Sequence, residues 1–476
     1  MSAVAAADPD TADGARAPCD AWRAGAIGVD VMLAAHASGE ALDELRRARL
    51  ASLLRSALTR SSIYRDWLGT RDPQRVALAE LPIAQKAALM ARFDEWIADP
   101  QITLQAVRRH TADPSRVGEP FLGRYTVWES SGSSGEPGLF VQDEHAMAVY
   151  DALEALRRPM LRPLDRLFDP WGWSERLVFV GAFGGHYAST VTIERLRRMN
   201  PTAAGRTTSL SFLQPMAHLV AQLDKLAPTI LATYPSLAVL LAREHAAGRL
   251  HAAPREIWTG GEMLSAEAAA HVGQAFGCPV IDSYGASECL ALASSCALGA
   301  LHLNTDWVIL ESVDAQGRAV PPGSAGATTL LTNLANHVQP IIRYDLGDRV
   351  TFGPRRCACG SNLPVVQVQG RSDDTLRFAG GGRCSVDIVP LAISTVLEEE
   401  GGLFDFQLRQ TSERELVLSS PSGTALLRRA RSALARFLAA QGASGVRIRC
   451  SAEDGQRAAS GKLKRIVACD ARGVRS

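Results

Sequence analysis

Ser130-Ser131-Gly132-Ser133-Ser134-Gly135-Glu136-Pro137-Gly138 is a run of serines and glycines closed by a proline turn. An apolar, strand-like run, Arg124-Tyr125-Thr126-Val127-Trp128, leads into it, and a helical pattern from about Asp143 to Met160 follows. Small residues let a backbone close around an anion, exposed N–H groups supply donors, and hydroxyls add more. Taken alone the run has two readings, a loop that holds phosphate or a flexible Ser/Gly linker. The rest of the chain has to choose between them.

With 476 residues, the chain is too long for one compact core, so two or more domains are expected. Hydrophobic residues at 46% and charged residues at 21% fit an ordinary globular protein. A formal net charge of +1 gives no support for a nucleic-acid or anionic-membrane partner. No apolar run reaches transmembrane length, and no basic stretch followed by an apolar core marks a secretory signal. Nine cysteines is an odd number, and Cys357 and Cys359 lie too close in sequence for an easy bridge. Thiols or metal ligands are expected rather than disulfides, and with them a cytoplasmic location.

Residues 1–20 are rich in Ala and Asp without periodicity and read as disordered. From about Ser38 to Arg60, Leu42, Leu45, Leu50, Leu53, Leu54 and Leu58 recur near helical spacing. A second helix is expected over Ala87 to Trp96. After the Ser/Gly run, strands at Leu177 to Val180, Thr229 to Thr233, Glu256 to Trp258 and Pro279 to Tyr284 alternate with helices, the last of these spanning about Ala266 to Phe276. That alternation argues for a parallel α/β arrangement. From about Val308 the sequence turns β-rich and is punctuated by turns. Strands near Phe404 to Leu408 and Leu416 to Leu418, and a helix from about Ser422 to Ala440, fill the last hundred or so residues. The expected fold is therefore α/β: a large N-terminal domain over 21–372, with mixed and parallel α/β subdomains plus a β-rich one, and a small mobile α+β C-terminal domain over 373–476.

Four further segments carry chemistry. Tyr284-Gly285-Ala286-Ser287-Glu288 follows a strand directly and sets a ring, a flexible glycine, a hydroxyl and a carboxylate at its C-terminal end, where open α/β sheets place ligands. The carboxylate could hold Mg2+ and the hydroxyl could donate to a phosphate; the bland alternative is a plain βα turn with an N-cap serine. Arg343-Tyr344-Asp345-Leu346-Gly347-Asp348 offers an Asp after a Gly turn, suited to ribose hydroxyls or simply to the turn. Gly370-Arg371-Ser372-Asp373-Asp374 is a polar, turn-forming segment at the domain break and suits a hinge. Ser460-Gly461-Lys462-Leu463-Lys464-Arg465 presents a lysine on a Ser/Gly loop, either a basic tail or a mobile cation for charge developing on phosphate.

In this order the segments resemble those of the adenylate-forming superfamily, which contains acyl-CoA synthetases, adenylation domains and luciferases. The resemblance runs from about residue 40 to the end. Ser130, Ser131, Gly132, Ser133, Ser134 and Gly135 are similar to its phosphate loop. Tyr284 to Glu288 is similar to its aromatic-Gly-x-Thr-Glu motif, with Ser287 in the Thr place. Asp348 matches its ribose Asp, Arg371 and Asp373 its Gly-Arg-x-Asp hinge, and Lys462 its C-terminal catalytic lysine. Within the superfamily the likeness is greatest to phenylacetate-CoA ligases, through Gly184-Gly185-His186-Tyr187 beside the acyl pocket and Gly260-Gly261-Glu262 near the adenine. The phosphate loop of the superfamily usually ends in Lys, a place that Gly138 takes here.

The resemblance implies ATP-dependent activation of a carboxylic acid to acyl-AMP with release of pyrophosphate. Transfer to a thiol would follow, either CoA or the phosphopantetheine of an acyl carrier protein. Glu288 would hold Mg2+, Ser287 would contact the α-phosphate, Tyr284, Gly285, Gly261 and Glu262 would border the nucleotide, Asp348 would hold the ribose, and Lys462 would reach in from a C-terminal domain turning about Asp373. His186, Tyr187, Tyr234 and Trp258 could line a flat pocket for an aryl or arylacetic acid, or could simply pack. Cys296, His302, Cys357 and Cys359 form two separated pairs of soft ligands, the set a closed Zn2+ site uses, with free thiols as the alternative. Relatives with cysteines and a histidine at these places include zinc binders, which implies a structural Zn2+. A kinase-like phosphotransferase is disfavoured by the absence of Gly-x4-Gly-Lys-Ser/Thr. A non-catalytic module is disfavoured by the joint presence of Glu288, Asp348, Arg371 and Lys462.

Overall fold

The structure, a computed structural model, describes residues 21–130, 137–159, 161–162, 169, 172–183, 185–324, 326–353, 357–369, 376–379, 385–403, 406–443, 445–452 and 465–467. The chain opens with helices Ala21–His36 and Gly39–Arg60. Ser38 caps the second, its hydroxyl accepting from the Ala41 N–H at 3.2 Å, and Leu42, Leu53, Leu54 and Ala57 form its buried stripe. The helix expected over Ala87 to Trp96 is two short ones, Lys86–Ala91 and Phe93–Trp96, because Arg92 between them leaves helical geometry (φ −120°, ψ 37°).

The Ser/Gly run joins two strands rather than a strand and a helix. β1 (Thr126–Glu129) and β2 (Leu139–Gln142) pair antiparallel, with Glu129 opposite Leu139. Helix Glu144–Leu156 begins only after β2, capped by Asp143, whose carboxylate accepts from the Ala146 N–H at 2.8 Å. All four residues of β2 are buried, so its short apolar run carries no alternation by which sequence could mark it as a strand, while the helix starts where expected, after Asp143.

The centre of the molecule is one nine-stranded sheet. β3 (Leu177–Gly181), β4 (Thr207–Ser211), β5 (Ile230–Thr233), β6 (Glu256–Gly260) and β7 (Val280–Ala286) form its parallel half, linked by helices Ala188–Met199, Met216–Leu226, Pro235–Ala246 and Ala266–Phe276. β8 (Cys289–Ser295) turns back antiparallel on β7, and β9 (Leu301–Leu303) on β8. β10 (Val308–Val313), β11 (Thr328–Asn333) and β12 (Ile341–Asp345) make a separate three-stranded sheet. The chain then rejoins the large sheet as β13 (Arg349–Phe352) and β14 (Val365–Gln369), giving the order β13-β14-β9-β8-β7-β6-β5-β3-β4. The β-rich character expected from about Val308 therefore starts at Cys289, inside the same sheet.

Beyond it, β15 (Leu376–Ala379) pairs with β16 (Ser385–Ile388), followed by helix Pro390–Glu399. β17 (Gln407–Ser412), β18 (Glu415–Ser419), β19 (Arg447–Ser451) and β20 (Ile466–Val467) form a four-stranded sheet against helix Thr424–Ala440. Two hydrophobic clusters hold these parts together. One gathers the N-terminal helices with β1, β2, β8 and the β10–β12 sheet around Trp96, Trp128 and Phe140. The other runs from the parallel strands through Leu376, Phe378 and Ile393 to Leu434. Among the described residues no helix is long and apolar enough to cross a membrane.

Candidate active site

The site is built at the β7–β8 hairpin. The parallel strands β3, β5, β6 and β7 deliver their C-terminal ends to one edge, with Val180 beside Thr233 and Gly260 beside Ser283. β7 then bulges between Tyr284 and Ala286 and reverses through Ser287 and Glu288 into β8. The alternative of a plain βα turn is thereby removed: no helix follows. A Cβ on Gly285 would stand 2.1 Å from the Leu290 carbonyl oxygen, so the bulge closes only around glycine.

Buried donors fix both peptide carbonyls of the turn. The Trp128 indole N–H donates to Ser287 O at 2.7 Å, and Asn333 Nδ2 donates to Glu288 O at 3.0 Å and to the Tyr150 hydroxyl at 2.7 Å. Trp128 lies on β1, two residues before the Ser/Gly run, so this one indole ties the base of that run to the hairpin tip. At the run's mouth, Ser130 N–H donates to Gly138 O at 2.8 Å, and the Ser130 hydroxyl accepts from Gly138 N–H at 2.9 Å.

Two tyrosines link the segments around the hairpin. The Tyr284 hydroxyl donates to Asp348 at 2.9 Å, and the Tyr344 hydroxyl donates to the Glu288 carboxylate. Burial pushes the Glu288 carboxyl above the usual range, opposed by that hydroxyl and by the positive charge of Lys86. Burial, with Asp348 and Glu288 respectively, pushes the Tyr284 and Tyr344 phenols up, so both stay protonated donors. The β12 edge is held in turn by the segment before Lys86: Ala84 N–H donates to Arg343 O at 2.9 Å and Asp345 N–H to Ala84 O at 3.0 Å.

The other sequence-named residues fall around this centre. Gly261 is at φ +79°, where a Cβ would stand 3.2 Å from the Tyr234 ring, and the Glu262 carboxylate accepts from Ser236 N–H at 3.0 Å and Ser236 Oγ at 2.5 Å. Tyr234 packs edge-on against Phe212, with centroids 5.6 Å apart. His186 is 1% exposed with its ring 5.4 Å from that of His110, and its carbonyl accepts from Glu129 N–H at 2.7 Å. The Tyr187 hydroxyl bonds Glu399 at the end of helix Pro390–Glu399. Trp258 lies on β6, with the Arg158 guanidinium 4.0 Å from its ring centroid. Ser131, Gly132, Ser133, Ser134, Gly135, Gly184, Arg371, Asp373 and Lys462 lie outside the described residues.

A second cluster stands on the antiparallel side of the sheet. Cys296 is in the β8–β9 turn, His302 on β9, and Cys357 and Cys359 between β13 and β14; their ligand atoms all lie within 4.8 Å of one another. His302 Nδ1 is 2.8 Å from Leu363 O, and its Nε2 is 3.3 Å from the Cys359 sulfur. Donation from Nδ1 to that carbonyl leaves the Nε2 lone pair facing the thiols, the tautomer a metal requires.

Residues 196–330 match the family model of the AMP-binding enzymes. No curated protein is matched by the sequence. Solved structures of a 2-hydroxyisobutyryl-CoA ligase share the fold over nearly the whole chain. One, in complex with 2-HIB-AMP and CoA in the thioesterification state, is 22% identical with a TM-score of 0.55, covering 91% of this chain and 91% of that one. Another, in the postadenylation state with 2-HIB-AMP, is 20% identical with a TM-score of 0.52 and the same coverage. The architecture is therefore that of adenylate-forming enzymes, a large N-terminal part followed by a smaller C-terminal one.

Proposed function

We propose that this chain activates a carboxylic acid with ATP, forming acyl-AMP and pyrophosphate, and then passes the acyl group to the thiol of CoA. The supporting observation is the convergence at the β7–β8 hairpin. The Glu288 carboxylate, the Asp348 carboxylate and the base of the Ser/Gly run are held together there by Tyr344, Tyr284 and Trp128. In line attack of a carboxylate on the α-phosphate asks the protein mainly for position and for neutral or positive surroundings.

In this reading Asp348 accepts from the ribose hydroxyls while Tyr284 fixes its orientation. Ser287, at the hairpin tip, donates to the α-phosphate, and Gly261 gives the nucleotide close approach to backbone. Glu288 suits Mg2+: it is a buried carboxylate at the phosphate end of the cleft, and a cation there offsets the cost of its charge. Bound Mg2+ supplies charge neutralisation on the phosphate oxygens. Lys462 is assigned to adenylation and Asp373 and Arg371 to the hinge on sequence alone. The acid is assigned as aryl or arylacetic from Tyr187 and Tyr234, rings that follow the β3 and β5 ends. Cys296, His302, Cys357 and Cys359 fit a structural Zn2+, since four protein ligands leave no open position.

A panel of carboxylic acids in a pyrophosphate-release assay, with and without CoA, tests the reading. Release that depends on an arylacetic acid and a thioester that appears only with CoA are expected. Release of ADP in place of pyrophosphate would overturn the reaction class; release only with short aliphatic acids would overturn the substrate.

A further inference from the structure

Arg465 and Glu398 form an ion pair at 2.7 Å inside the C-terminal part, with Arg465 8% and Glu398 4% exposed. The Arg465 guanidinium also lies over the Phe406 ring, 4.3 Å from its centroid. Taking two charges out of water is costly, and an apolar pair of similar volume would hold a fold as well or better. What a buried pair adds is a fixed geometry between the two elements that carry it.

Glu398 stands in the last turn of helix Pro390–Glu399. Arg465 stands immediately before β20, the two-residue edge strand of the four-stranded sheet. Its carbonyl accepts from Leu408 N–H at 2.7 Å, and β20 then pairs parallel with β17. Main-chain bonds thus fix this point of the chain to the sheet, and the side chain fixes it to the helix. Lys462 lies three residues earlier in sequence. Three residues span at most about 11 Å, so the anchor at 465 bounds where the lysine can be presented. The anchor is also near the hairpin. The charge of Lys86, in helix Lys86–Ala91 of the N-terminal part, acts on the carboxylates of both Glu288 and Glu398. The end of helix Pro390–Glu399 that holds Arg465 is therefore within electrostatic reach of the same lysine as the hairpin carboxylate.

We infer that the Arg465–Glu398 pair positions Lys462 for adenylation, by anchoring the chain three residues after it to helix Pro390–Glu399. The inference rests on the proposed assignment of Lys462 and on the reading of the hairpin as the ATP site. Both side chains act through Lys462 and are positioning residues. Arginine suits the task better than lysine, because one planar group can pair with a carboxylate and stack on a ring at once. Charge developing on the phosphorus oxygens is met only by a cation already in place, so a small displacement of the lysine is expected to cost rate.

The test uses the double variant Arg465→Met/Glu398→Met, which replaces the pair by apolar groups and leaves no unpaired charge in the interior. Two half-reactions are measured in it and in the wild type: pyrophosphate release from ATP and the acid, and thioester formation from supplied acyl-AMP and CoA. Pyrophosphate release should fall by about tenfold to a hundredfold, the size of effect that misplacing a reacting group produces. Thioester formation should keep the wild-type rate. Arg465→Lys, which keeps the charge but not the planar group, should show the same split in smaller measure, and it decides the matter where the double variant does not fold. Wild-type rates in both half-reactions would overturn the inference. An equal fall in both would make the pair a general support of the C-terminal part and overturn it too. A wild type that releases no pyrophosphate with any acid would instead sink the reading of the hairpin. A Lys462→Ala variant that still adenylates would sink the assignment of that lysine, and in either case this inference goes with it.

Discussion

Asp282 shows how one residue near the site tunes the fold without belonging to the chemistry. It lies on β7, with the Thr259 hydroxyl donating to it at 2.7 Å, and burial pushes its carboxyl up to about 6 against that donor and the Ser283 N–H. Between about pH 4 and pH 6 the folded chain holds this proton and the unfolded chain does not. The group's contribution is thus complete at low pH and lost as pH rises through the folded value. Asp282→Asn should raise stability at pH 7 by roughly 2 kcal/mol and change nothing near pH 4. Urea midpoints of both proteins across that range check it; a difference independent of pH would refute the assignment. Glu288 is raised by the same cause, with the Tyr344 hydroxyl and the charge of Lys86 opposing it.

At the scale of elements, the β7–β8 hairpin does most of the positioning. Its bulge brings Leu290 O to within 2.1 Å of any Cβ at 285, so Gly285→Ala must push the two strands apart. A loss of about 1–3 kcal/mol in stability is expected, together with a fall in pyrophosphate release larger than the loss of folded protein explains. Circular dichroism melts beside initial rates separate the two effects. On the other side of β8, the Cys296–His302–Cys357–Cys359 cluster bridges the β8–β9 and β13–β14 connections. Purified protein should carry about one zinc per chain, and Cys357→Ser should lower both the metal content and the melting temperature by several degrees. Metal analysis and calorimetry read these out; absence of stoichiometric zinc with unchanged stability would remove the site.

At the scale of the whole molecule, polar contacts among the described residues join the C-terminal part to the parallel half of the large sheet, beside the shared hydrophobic cluster. Arg243 pairs with Asp387 at 2.7 Å, Gln441 Nε2 donates to Leu213 O at 2.6 Å, and Tyr187 bonds Glu399. In the proposed reading the smaller part takes two orientations, one for each half-reaction. Lys462→Ala should therefore abolish adenylation but leave thioester formation from supplied acyl-AMP. If both half-reactions survived in that variant, the assignment of Lys462 would fail.

The alternation of strands and helices from Leu177 to Tyr284 was legible because buried parallel strands are short apolar runs flanked by periodic helices, and β3, β5, β6 and β7 stand where that pattern puts them. Helix Ala266–Phe276 falls on its expected bounds because Ser265 caps it and Gly277 ends it in the left-handed region. The segment Tyr284 to Glu288 could be named from residue types alone. Its form as a hairpin, held by Trp128 and Asn333, could not, since both partners come from strands far away in sequence. Sequence determined the identity of the chemical groups and the periodicity of the elements, because those are local properties. Tertiary structure decided which groups meet at the hairpin, because that depends on contacts between segments far apart in sequence.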